Sequence, residues 1–444
     1  MPLPDLIEIV PLEKPVQAEI TVPGSKSITN RALILAALGE GETMLEGALW
    51  SEDTQVMVEC LQELGFMVNV AADRREPCNR TITVYGKGGV VPAGGTEAQS
   101  LELFVGNAGT AARFLAALVC LGKGVYRLHG APRMHERPQA ALFRALRELG
   151  YRIESANDRL PALIYGGGPR AAGCRVSIEE SSQFASALLL CADAGQWQVA
   201  MSGENADESP YVAMTSKLAA AFPRAGGRFQ IEPDASSASY FWAASFLCSF
   251  WEPLQAVRSQ PKPFPARVYA PASAVSVRAG PASDWQVDAA FPRFLPLPAA
   301  VSRRTDLGDS IMTAIVLAPF SKQPVRFTDL GRLRVQECER VAALRTELTR
   351  CGAKVVEEGD TLTVWPGQLH GAEIETYNDH RMAMCFAILG LKVPGIRLKN
   401  PGCVKKTFPN FFQKLAARPP EGLGARILAG KSGRALTDAE LFAE

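Results

Sequence analysis

Three segments of the chain combine a helical spacing of apolar residues with a glycine and a short apolar strand. They read TQVMVECLQELG, ALFRALRELG and VAALRTELTRCG, and they end at Gly65, Gly150 and Gly352. Each glycine stands where the C-terminus of a helix needs a positive φ, and the apolar residues that follow predict a strand. The recurrence indicates a βαβαβ-type module that is duplicated within and between domains. A chance likeness of common helix endings is the alternative.

The pattern of the remaining chain predicts how these modules are organised. A length of 444 residues exceeds one compact core and predicts two α/β domains. Residues 246–300 are rich in proline and lack a helical period, which is typical of a loop-rich stretch or an eroded repeat. Residues 416–444 carry a short helical signal from Thr437 but no place in the repeat, so we predict an appendage there.

Composition narrows the possible partners. Lys and Arg number 47 against 46 Asp and Glu, a net charge of +1, so no global field favours nucleic acid or an anionic membrane, and local clusters must hold any anionic ligand. The ten cysteines show no C-x-x-C pair, which argues against a zinc site and for reduced thiols.

The chain has no run of about 18 apolar residues and no basic residue in its first ten, which predicts a cytoplasmic protein. A plastid protein without its transit peptide is the alternative.

The strongest candidate for anion binding is PGSKSITNRALILAALG. Its Pro-Gly turn leads into Lys26, Ser27 and Arg31 and then into an apolar helix. Free N–H groups at a helix start, hydroxyls and cations converge there, and Arg31 lies one turn after Ser27. The spacing differs from that of a nucleotide P-loop. An ordinary capped helix with a solvated lysine is the alternative.

Other segments carry weaker signals of the same kind. In VGNAGTAARFL, glycines bracket Asn107, so the backbone can approach a ligand at Gly109, although a tight structural turn has the same sequence. Surface charges and helix caps are the usual roles of the other candidates. These are Arg137 in PRMHERP, Ser181, Ser182 and Gln183 in SSQFASALLL, Asp309 in GDSIMT, Arg334, Glu337 and Arg340 in LRVQECER, Asp379, His380 and Arg381 in YNDHRMAM, and Lys405 and Lys406 in KKTFPNFF.

Seven segments, in order, resemble signatures of the 5-enolpyruvylshikimate-3-phosphate (EPSP) synthase family, which joins phosphoenolpyruvate to shikimate 3-phosphate. The resemblance covers about residues 8–245 and 303–413. The segments are PGSKSITNRALILAAL, VGNAGTAARFL, PRMHERP, SSQFASALLL, EPDASSASYFW, YNDHRMAMCFA and KKTFPNFF.

The resemblance implies a fold of two inside-out α/β domains, each with three βαβαββ units around a helical bundle and with the active-site cleft between them. It implies that the chain crosses between the domains near Pro23 and near Asp234. We therefore predict one discontinuous domain from residues 1–22 and 236–415, a second from residues 23–235, and the appendage at 416–444.

The resemblance also implies which residues bind the ligands, with no metal or organic cofactor and with a monomer as the working state. The implied catalytic residues are Lys26, Asp309 and Glu337. The implied contacts to shikimate 3-phosphate are Lys26, Ser27, Arg31, Ser181, Ser182, Gln183, Asp309 and Gln336. Those to phosphoenolpyruvate are Lys26, Asn107, Gly109, Arg137, Gln183, Arg340, Arg381 and Lys406.

The chain departs from the family pattern at several positions. RVQECER has Gln336 where a lysine contacts shikimate 3-phosphate, and we expect Arg332 to supply the missing charge. ESPY places Glu208 where a hydroxyl is common, which puts phosphate binding there in doubt. Phe114 replaces a proline and Ala112 a methionine, and we hypothesise that this change reshapes the phosphoenolpyruvate pocket and weakens inhibition by glyphosate.

Two other functions are compatible with parts of this pattern. The related UDP-N-acetylglucosamine enolpyruvyl transferases share the fold, but they carry a reactive cysteine before a G-x-R-P run, and APRMHERP contains none. A non-catalytic anion-binding protein is suggested by Gln336, Glu208 and the irregular middle of the chain. Paired acids beside arginines, as at Asp309 and Arg381, argue against that role.

Overall fold

The computed structural model describes residues 3–203, 210–249 and 274–443. The chain divides into two compact units. Unit 1 comprises Met1–Val22, Pro233–Ala282 and Val287–Glu444, and unit 2 comprises Pro23–Glu232 and Ser283–Gln286. The first division falls after Val22, and the second falls three residues before the one expected at 235/236. The short return of Ser283–Gln286 to unit 2 has no counterpart in the sequence-based division.

Helices and strands alternate along most of the described chain. The helices are α1 Lys26–Leu38, α2 Glu52–Glu63, α3 Gly109–Leu118, α4 Pro132–Glu136, α5 Ala140–Glu148, α6 Ser182–Gly195, α7 Pro210–Ala221, α8 Ala235–Cys248, α9 Ile311–Leu317, α10 Arg340–Arg350, α11 His380–Gly390 and α12 Phe411–Ala416. The strands are β1 Leu6–Ile9, β2 Gln17–Ile20, β3 Glu40–Leu49, β4 Met67–Ala72, β5 Asn79–Lys87, β6 Leu101–Phe104, β7 Lys123–His129, β8 Arg152–Glu154, β9 Ala162–Gly167, β10 Ala172–Ser177, β11 Trp197–Ser202, β12 Gly227–Gln230, β13 Ala274–Val277, β14 Ala300–Ser302, β15 Val325–Thr328, β16 Val355–Glu358, β17 Thr361–Val364, β18 Glu373–Ile374, β19 Ile396–Lys399 and β20 Ile427–Ala429.

The sheets repeat one pairing pattern. Four of them have four strands, in the orders β12-β3-β5-β4, β6-β7-β9-β8, β14-β15-β17-β16 and β18-β19-β1-β20. In each, the first pair is parallel and the next two pairs are antiparallel. A parallel pair requires a crossover, which α3 and α9 provide for β6-β7 and β14-β15. The predicted duplicated module is therefore confirmed, both within and between the units.

The three helix–glycine–strand segments correspond to α2, α5 and α10 and the strands after them. Gly65, Gly150 and Gly352 have φ values of +85°, +89° and +90°. This left-handed backbone is costly for other residues and ends each helix before β4, β8 or β16. The predicted positive φ is confirmed at all three.

Each unit has its own hydrophobic core, and helices occupy it. In α3 every residue from Gly109 to Leu118 is buried, and in α11 every residue from His380 to Gly390 is buried. A helix that is apolar all round belongs in an interior rather than on a surface. The fold is therefore inside-out, and the charged residues of these two central helices lie in their N-terminal halves.

One prediction about the irregular segments needs correction. Residues 416–444 are not an appendage, because β20 pairs with β1 and Leu423, Ile427 and Leu441 are buried in the core of unit 1. The tail lacks the repeat pattern since it completes a sheet begun at the other end of the chain. In the described part of residues 246–300, β13 pairs with β2 in a two-stranded sheet, whereas residues 250–273 lie outside the described residues.

Candidate active site

In unit 2, the N-termini of α1, α3 and α6 lie at the same end of the helical core. The amide of Asn30, in α1, donates to the hydroxyl of Thr110, in the first turn of α3, at 2.8 Å. The guanidinium of Arg31 donates to the hydroxyl of Ser186, near the start of α6, at 3.0 Å. Free N–H groups and helix dipoles therefore converge on the region where the predicted unit 2 residues lie, which favours an anion.

Lys26 opens α1 and is held by an acid that the sequence analysis missed. Its Nζ lies 2.9 Å from Oδ2 of Asp53, whose side chain is 4% exposed against 18% for the lysine. Asp53 lies in the first turn of α2, after the N-cap Ser51. The pair fixes the direction of the ammonium and leaves it partly open to a ligand.

Arg31 is a buried arginine with an extensive set of partners. It is 1% exposed, and its guanidinium donates to the hydroxyl of Thr215 at 2.7 Å, to Ser186, and to the carbonyl of Ser27 at 2.9 Å. The ring of Phe114 lies beneath it, 5.2 Å from the guanidinium carbon. Arg31 thus ties α1 to α3, α6 and α7, and Ser27 stays partly exposed beside it.

The position of Phe114 changes how its replacement can act. Phe114 is completely buried and is the sixth residue of α3. It does not line an open surface, so any effect on ligand binding passes through Arg31 or the position of the helix. A proline there removes a helical hydrogen bond and costs about 3 kcal/mol, so Phe114→Leu is a cleaner test of the glyphosate hypothesis than Phe114→Pro.

The loop before α3 brings Asn107, Gly109 and Arg137 together, as the sequence analysis predicted for phosphoenolpyruvate. The guanidinium of Arg137 donates to the carbonyl of Asn107 at 3.2 Å. A Cβ at Gly109 would lie 2.6 Å from the same guanidinium and 3.0 Å from that of Arg113. A larger residue at position 109 would therefore have to displace the Arg137 guanidinium. Arg113 is itself 2% exposed and donates to the carbonyls of Gly109 and Pro138.

The third predicted segment forms the start of α6. Ser181 is the N-cap, and its hydroxyl accepts a hydrogen bond from the N–H of Gln183 at 3.3 Å. Ser182 is 1% exposed, whereas Gln183 is partly exposed. Ser181 therefore has the helix-cap role that the sequence analysis gave as the alternative to ligand binding. Glu208, where phosphate binding was in doubt, lies outside the described residues.

In unit 1, Asp309 lies between two arginines just before α9. Its Oδ1 accepts from the guanidinium of Arg303 at 2.7 Å, and its Oδ2 lies 3.2 Å from that of Arg381. Burial raises the pKa of Asp309, but the charges of Arg381, Arg303 and Arg340 outweigh burial and hold this pKa well below its usual range. Asp309 is therefore ionised at neutral pH and is oriented by both of its oxygens.

Asp288 holds the loop that carries Asp309. Its Oδ1 accepts hydrogen bonds from the N–H of Gly308 at 2.7 Å and from the hydroxyl of Ser310 at 2.6 Å. Asp288 therefore fixes the residues on both sides of Asp309. Asp288 is 3% exposed and also accepts from Ser236 in α8. Buried carboxylates persist when hydrogen bonds satisfy them in this way.

A second cluster joins the N-termini of α10 and α11. Arg340 is 1% exposed, and its Nε donates to Oδ2 of Asp379 at 2.6 Å. Its Nη2 lies 2.9 Å from Oε2 of Glu337, and the Nζ of Lys406 lies 3.4 Å from Oε1 of Glu337. Asp379 also caps α11 by accepting from the N–H of Arg381 at 2.8 Å. Glu337, Arg340, Arg381 and Lys406, all predicted from the sequence, are thus brought together.

Gln336 lies inside this network as a neutral residue. Its carbonyl oxygen accepts from Arg340, and its amide nitrogen lies 3.5 Å from Oδ1 of Asp309. Arg303 brings a charge to Asp309, because it contacts the same oxygen at 2.7 Å. The expectation that Arg332 replaces the missing lysine charge toward shikimate 3-phosphate stays a prediction. Arg334 is a structural residue, since it pairs with Glu339, Glu357 and Asp360.

The cluster in unit 1 and the cluster in unit 2 are each rich in paired cations, and comparison with known proteins identifies what the chain is similar to. The family model described as EPSP synthase (3-phosphoshikimate 1-carboxyvinyltransferase) matches residues 10–225 and 221–415. The chain belongs to the EPSP synthase family. The matched segments include every residue that the sequence analysis assigned to the site.

Relatives and solved structures agree with this family. A 3-phosphoshikimate 1-carboxyvinyltransferase of Nostoc punctiforme is 37% identical over 431 residues, covering 92% of this chain and 98% of its own. One of Opitutus terrae is 36% identical, covering 94% of this chain and 98% of its own. The structure of the EPSP synthase of Acinetobacter baumannii matches with a TM-score of 0.71 and 21% identity, covering 95% of this chain and 99% of its own. That of the enolpyruvyl transferase NikO of Streptomyces tendae matches with a TM-score of 0.64 and 16% identity, covering 96% of this chain and 99% of its own. The two structures establish the fold alone.

The structure of this member of the EPSP synthase family has two further features, which concern its helices and its cysteines. Within its described ranges, none of the helices is long and apolar enough to span a bilayer. All ten cysteines are free thiols, and burial raises the pKa of several of them, Cys60 to about 12 among them. Such thiols are protonated at neutral pH and suit packing rather than nucleophilic chemistry.

Proposed function

We propose that this protein transfers the enolpyruvyl group of phosphoenolpyruvate to the 5-hydroxyl of shikimate 3-phosphate and releases phosphate. This is the shikimate-pathway step that leads toward the aromatic amino acids. Membership of the EPSP synthase family and the name shared by its relatives support the proposal. The observation that carries it is the grouping of Asp309 and Glu337 with Arg340, Arg381 and Lys406, since paired acids among cations suit proton transfer between anions.

The positions of the residues support a division of labour. Unit 2 offers helix N-termini and Lys26, Ser27, Arg31, Asn107, Gly109, Arg137, Ser181, Ser182 and Gln183. Unit 1 offers Asp309, Gln336, Glu337, Arg340, Arg381 and Lys406. We assign shikimate 3-phosphate and phosphoenolpyruvate among them as the family resemblance implies. Arginines bind carboxylate and phosphate through two parallel hydrogen bonds, and that geometry is specific.

The cations are needed because both substrates are polyanions. Two unit charges about 6 Å apart repel by roughly 3 kcal/mol at an effective dielectric of about 20. In the proposed reaction, C3 of phosphoenolpyruvate gains a proton, and the 5-hydroxyl oxygen bonds to C2 and loses its proton. The tetrahedral intermediate then loses phosphate and a C3 proton, which restores the double bond. Asp309 would take the hydroxyl proton, while Lys26 and Glu337 would handle the proton at C3.

Competition for Arg381 gives Asp309 a way to gain basicity. The arginine lies 3.2 Å from Oδ2 of Asp309, and a substrate anion competes for the same guanidinium. When the anion takes it, Asp309 loses part of the charge that lowers its pKa, so its affinity for a proton rises. The base is therefore most active when the substrates are in place. We further propose a cytoplasmic monomer that needs no cofactor.

Lys26 offers the first test. We expect Lys26→Met to lower kcat/KM about 10- to 100-fold, because the variant loses a charge-assisted hydrogen bond to both substrates. The measurement is phosphate release on mixing the protein with shikimate 3-phosphate and phosphoenolpyruvate. Lys217→Met is the matched control, since Lys217 also lies in unit 2 and pairs with Asp284 on the surface.

Three results of that assay would each change the conclusion. Phosphate release that is equal in wild type and Lys26→Met would remove Lys26 from the site. Release with UDP-N-acetylglucosamine in place of shikimate 3-phosphate would favour the related transferase. A folded wild type that binds shikimate 3-phosphate and releases no phosphate would favour a non-catalytic anion-binding protein.

A further inference from the structure

Arg303 is a buried cation that the sequence analysis did not select. It follows β14, and its backbone N–H donates to the carbonyl of Thr328 at 3.1 Å, at the end of β15. The residue is 6% exposed, and its guanidinium reaches Oδ1 of Asp309 at 2.7 Å. Its Nε is buried and has no hydrogen-bond partner among the described residues. The contact to Asp309 is therefore the principal polar contact of this side chain in the described structure.

The other contacts of Asp309 are weaker or shared. Arg381 lies 3.2 Å from Oδ2 and is also the residue assigned to phosphoenolpyruvate. The amide of Gln336 lies 3.5 Å from Oδ1, which is at the limit of a hydrogen bond, and carries no charge. Arg303 thus makes the short cationic contact to Asp309, and it has not been assigned to either substrate.

We propose that Arg303 is a positioning residue that anchors Oδ1 of Asp309 and so keeps Oδ2 directed at the substrate hydroxyl. The role rests on the proposed function, and it refines the part played by Asp309. A carboxylate turns easily about its terminal bond, since that torsion has broad minima. When a substrate anion competes for Arg381, the anchor at Oδ1 is what keeps the carboxylate from turning. Misplacement of a reacting group by about 1 Å costs on the order of 100-fold in rate.

The decisive variant is Arg303→Gln, which keeps a hydrogen-bond donor and removes the charge. We expect kcat for phosphate release to fall about 10- to 100-fold while KM for both substrates changes less than about 3-fold, because the anchor acts on Asp309 rather than on binding. Arg304→Gln is the matched control. Arg304 is the next residue, but its side chain is 42% exposed and pairs with Asp329. The kcat of Arg304→Gln should therefore equal that of wild type.

A second variant separates anchoring from a merely structural role. The amide nitrogen of Gln336 lies 3.5 Å from the oxygen that Arg303 contacts, so Gln336→Lys brings an ammonium to the same atom. In the Arg303→Gln background we expect Gln336→Lys to restore kcat to within about 5-fold of wild type. Because a lysine at position 336 can also contact shikimate 3-phosphate, Gln336→Lys alone is measured as well, and the gain in kcat must be larger in the Arg303→Gln background than in wild type.

Several outcomes would overturn the proposal. It fails if Arg303→Gln keeps wild-type kcat, if KM rises in place of the fall in kcat, or if Gln336→Lys restores nothing in a folded protein. If Arg303→Gln does not fold, Arg303→Lys replaces it, and the proposal then requires kcat within about 5-fold of wild type, because an ammonium can still reach the carboxylate. A wild type that turns over in the same assay shows that the proposed function stands even where the role of Arg303 fails.

Discussion

Replacing Asp309 by asparagine is expected to lower kcat for phosphate release about 10²- to 10⁴-fold, which is the usual contribution of a positioned general base. Asparagine preserves the size of the side chain and its contact to Arg303, so the loop held by Asp288 should keep its structure. It cannot accept the hydroxyl proton. Initial rates of phosphate release, with substrate affinities from calorimetry, separate this loss of chemistry from a loss of binding.

The control is the neighbouring acid. Asp306 accepts a hydrogen bond from the N–H of Ser302 at 2.9 Å, and Asp306→Asn preserves that acceptor. We expect Asp306→Asn to keep wild-type kcat. An Asp309→Asn variant that retains more than about a tenth of wild-type kcat contradicts the role given to Asp309.

The Asp309→Asn substitution should also change how the free energy of unfolding depends on pH. The pKa of Asp309 is held well below its usual range, so the stabilisation by its charge is present above about pH 4, near the unfolded value. It is lost as pH falls from there toward the lower folded pKa. We therefore expect the difference in unfolding free energy between wild type and Asp309→Asn to be largest at neutral pH and to shrink in acid. A constant difference would show that charge is not what stabilises this site.

Arg340→Met is expected to destabilise unit 1 by about 3–5 kcal/mol, because it leaves Asp379 buried without its guanidinium. Arg340 and Asp379 are 1% and 0% exposed, and two hydrogen bonds join them, at 2.6 and 3.2 Å. The measurement is urea unfolding followed by hydrogen–deuterium exchange of peptides from unit 1. Destabilisation and loss of phosphoenolpyruvate binding should occur together.

Two variants test whether an unpaired charge causes the loss. In the double variant Arg340→Met/Asp379→Asn, asparagine can still cap α11, and no carboxylate is left buried at position 379, so the cost should be smaller than for Arg340→Met alone. The exposed residue Arg304 serves again as control, and Arg304→Met should change stability by no more than about 1 kcal/mol. Equal losses in the single and double variants would instead indicate that lost packing dominates.

Local patterns predicted much of the fold and of the candidate site. Gly65, Gly150 and Gly352 marked helix ends because the tolerance of a positive φ is a property of glycine itself. Lys26, Gly109 and Arg381 lay in motifs whose polar groups stand at the starts of helices, which a linear pattern reveals. The same reasoning missed Asp53 and Arg303, because each looks like an ordinary surface charge until folding buries it beside its partner.

The tail was misjudged for a related reason. Nothing in residues 416–444 resembles the repeat, yet β20 pairs with β1 from the opposite end of the chain. Strand pairing over such a separation depends on which edge is left open by the rest of the sheet. A pattern read within a short window contains no information about that edge.

By itself, therefore, the sequence determined the duplicated α/β modules and the polar residues at helix N-termini, since periodicity, glycine conformation and capping act over a few positions. The helical bundle inside each unit was implied by the family resemblance. Only the tertiary structure decided which charges meet. It pairs Lys26 with Asp53, holds Asp309 between Arg303 and Arg381, and buries Arg31 against Phe114. Electrostatic interaction depends on distance and burial, and both are set by contacts between residues far apart in the chain.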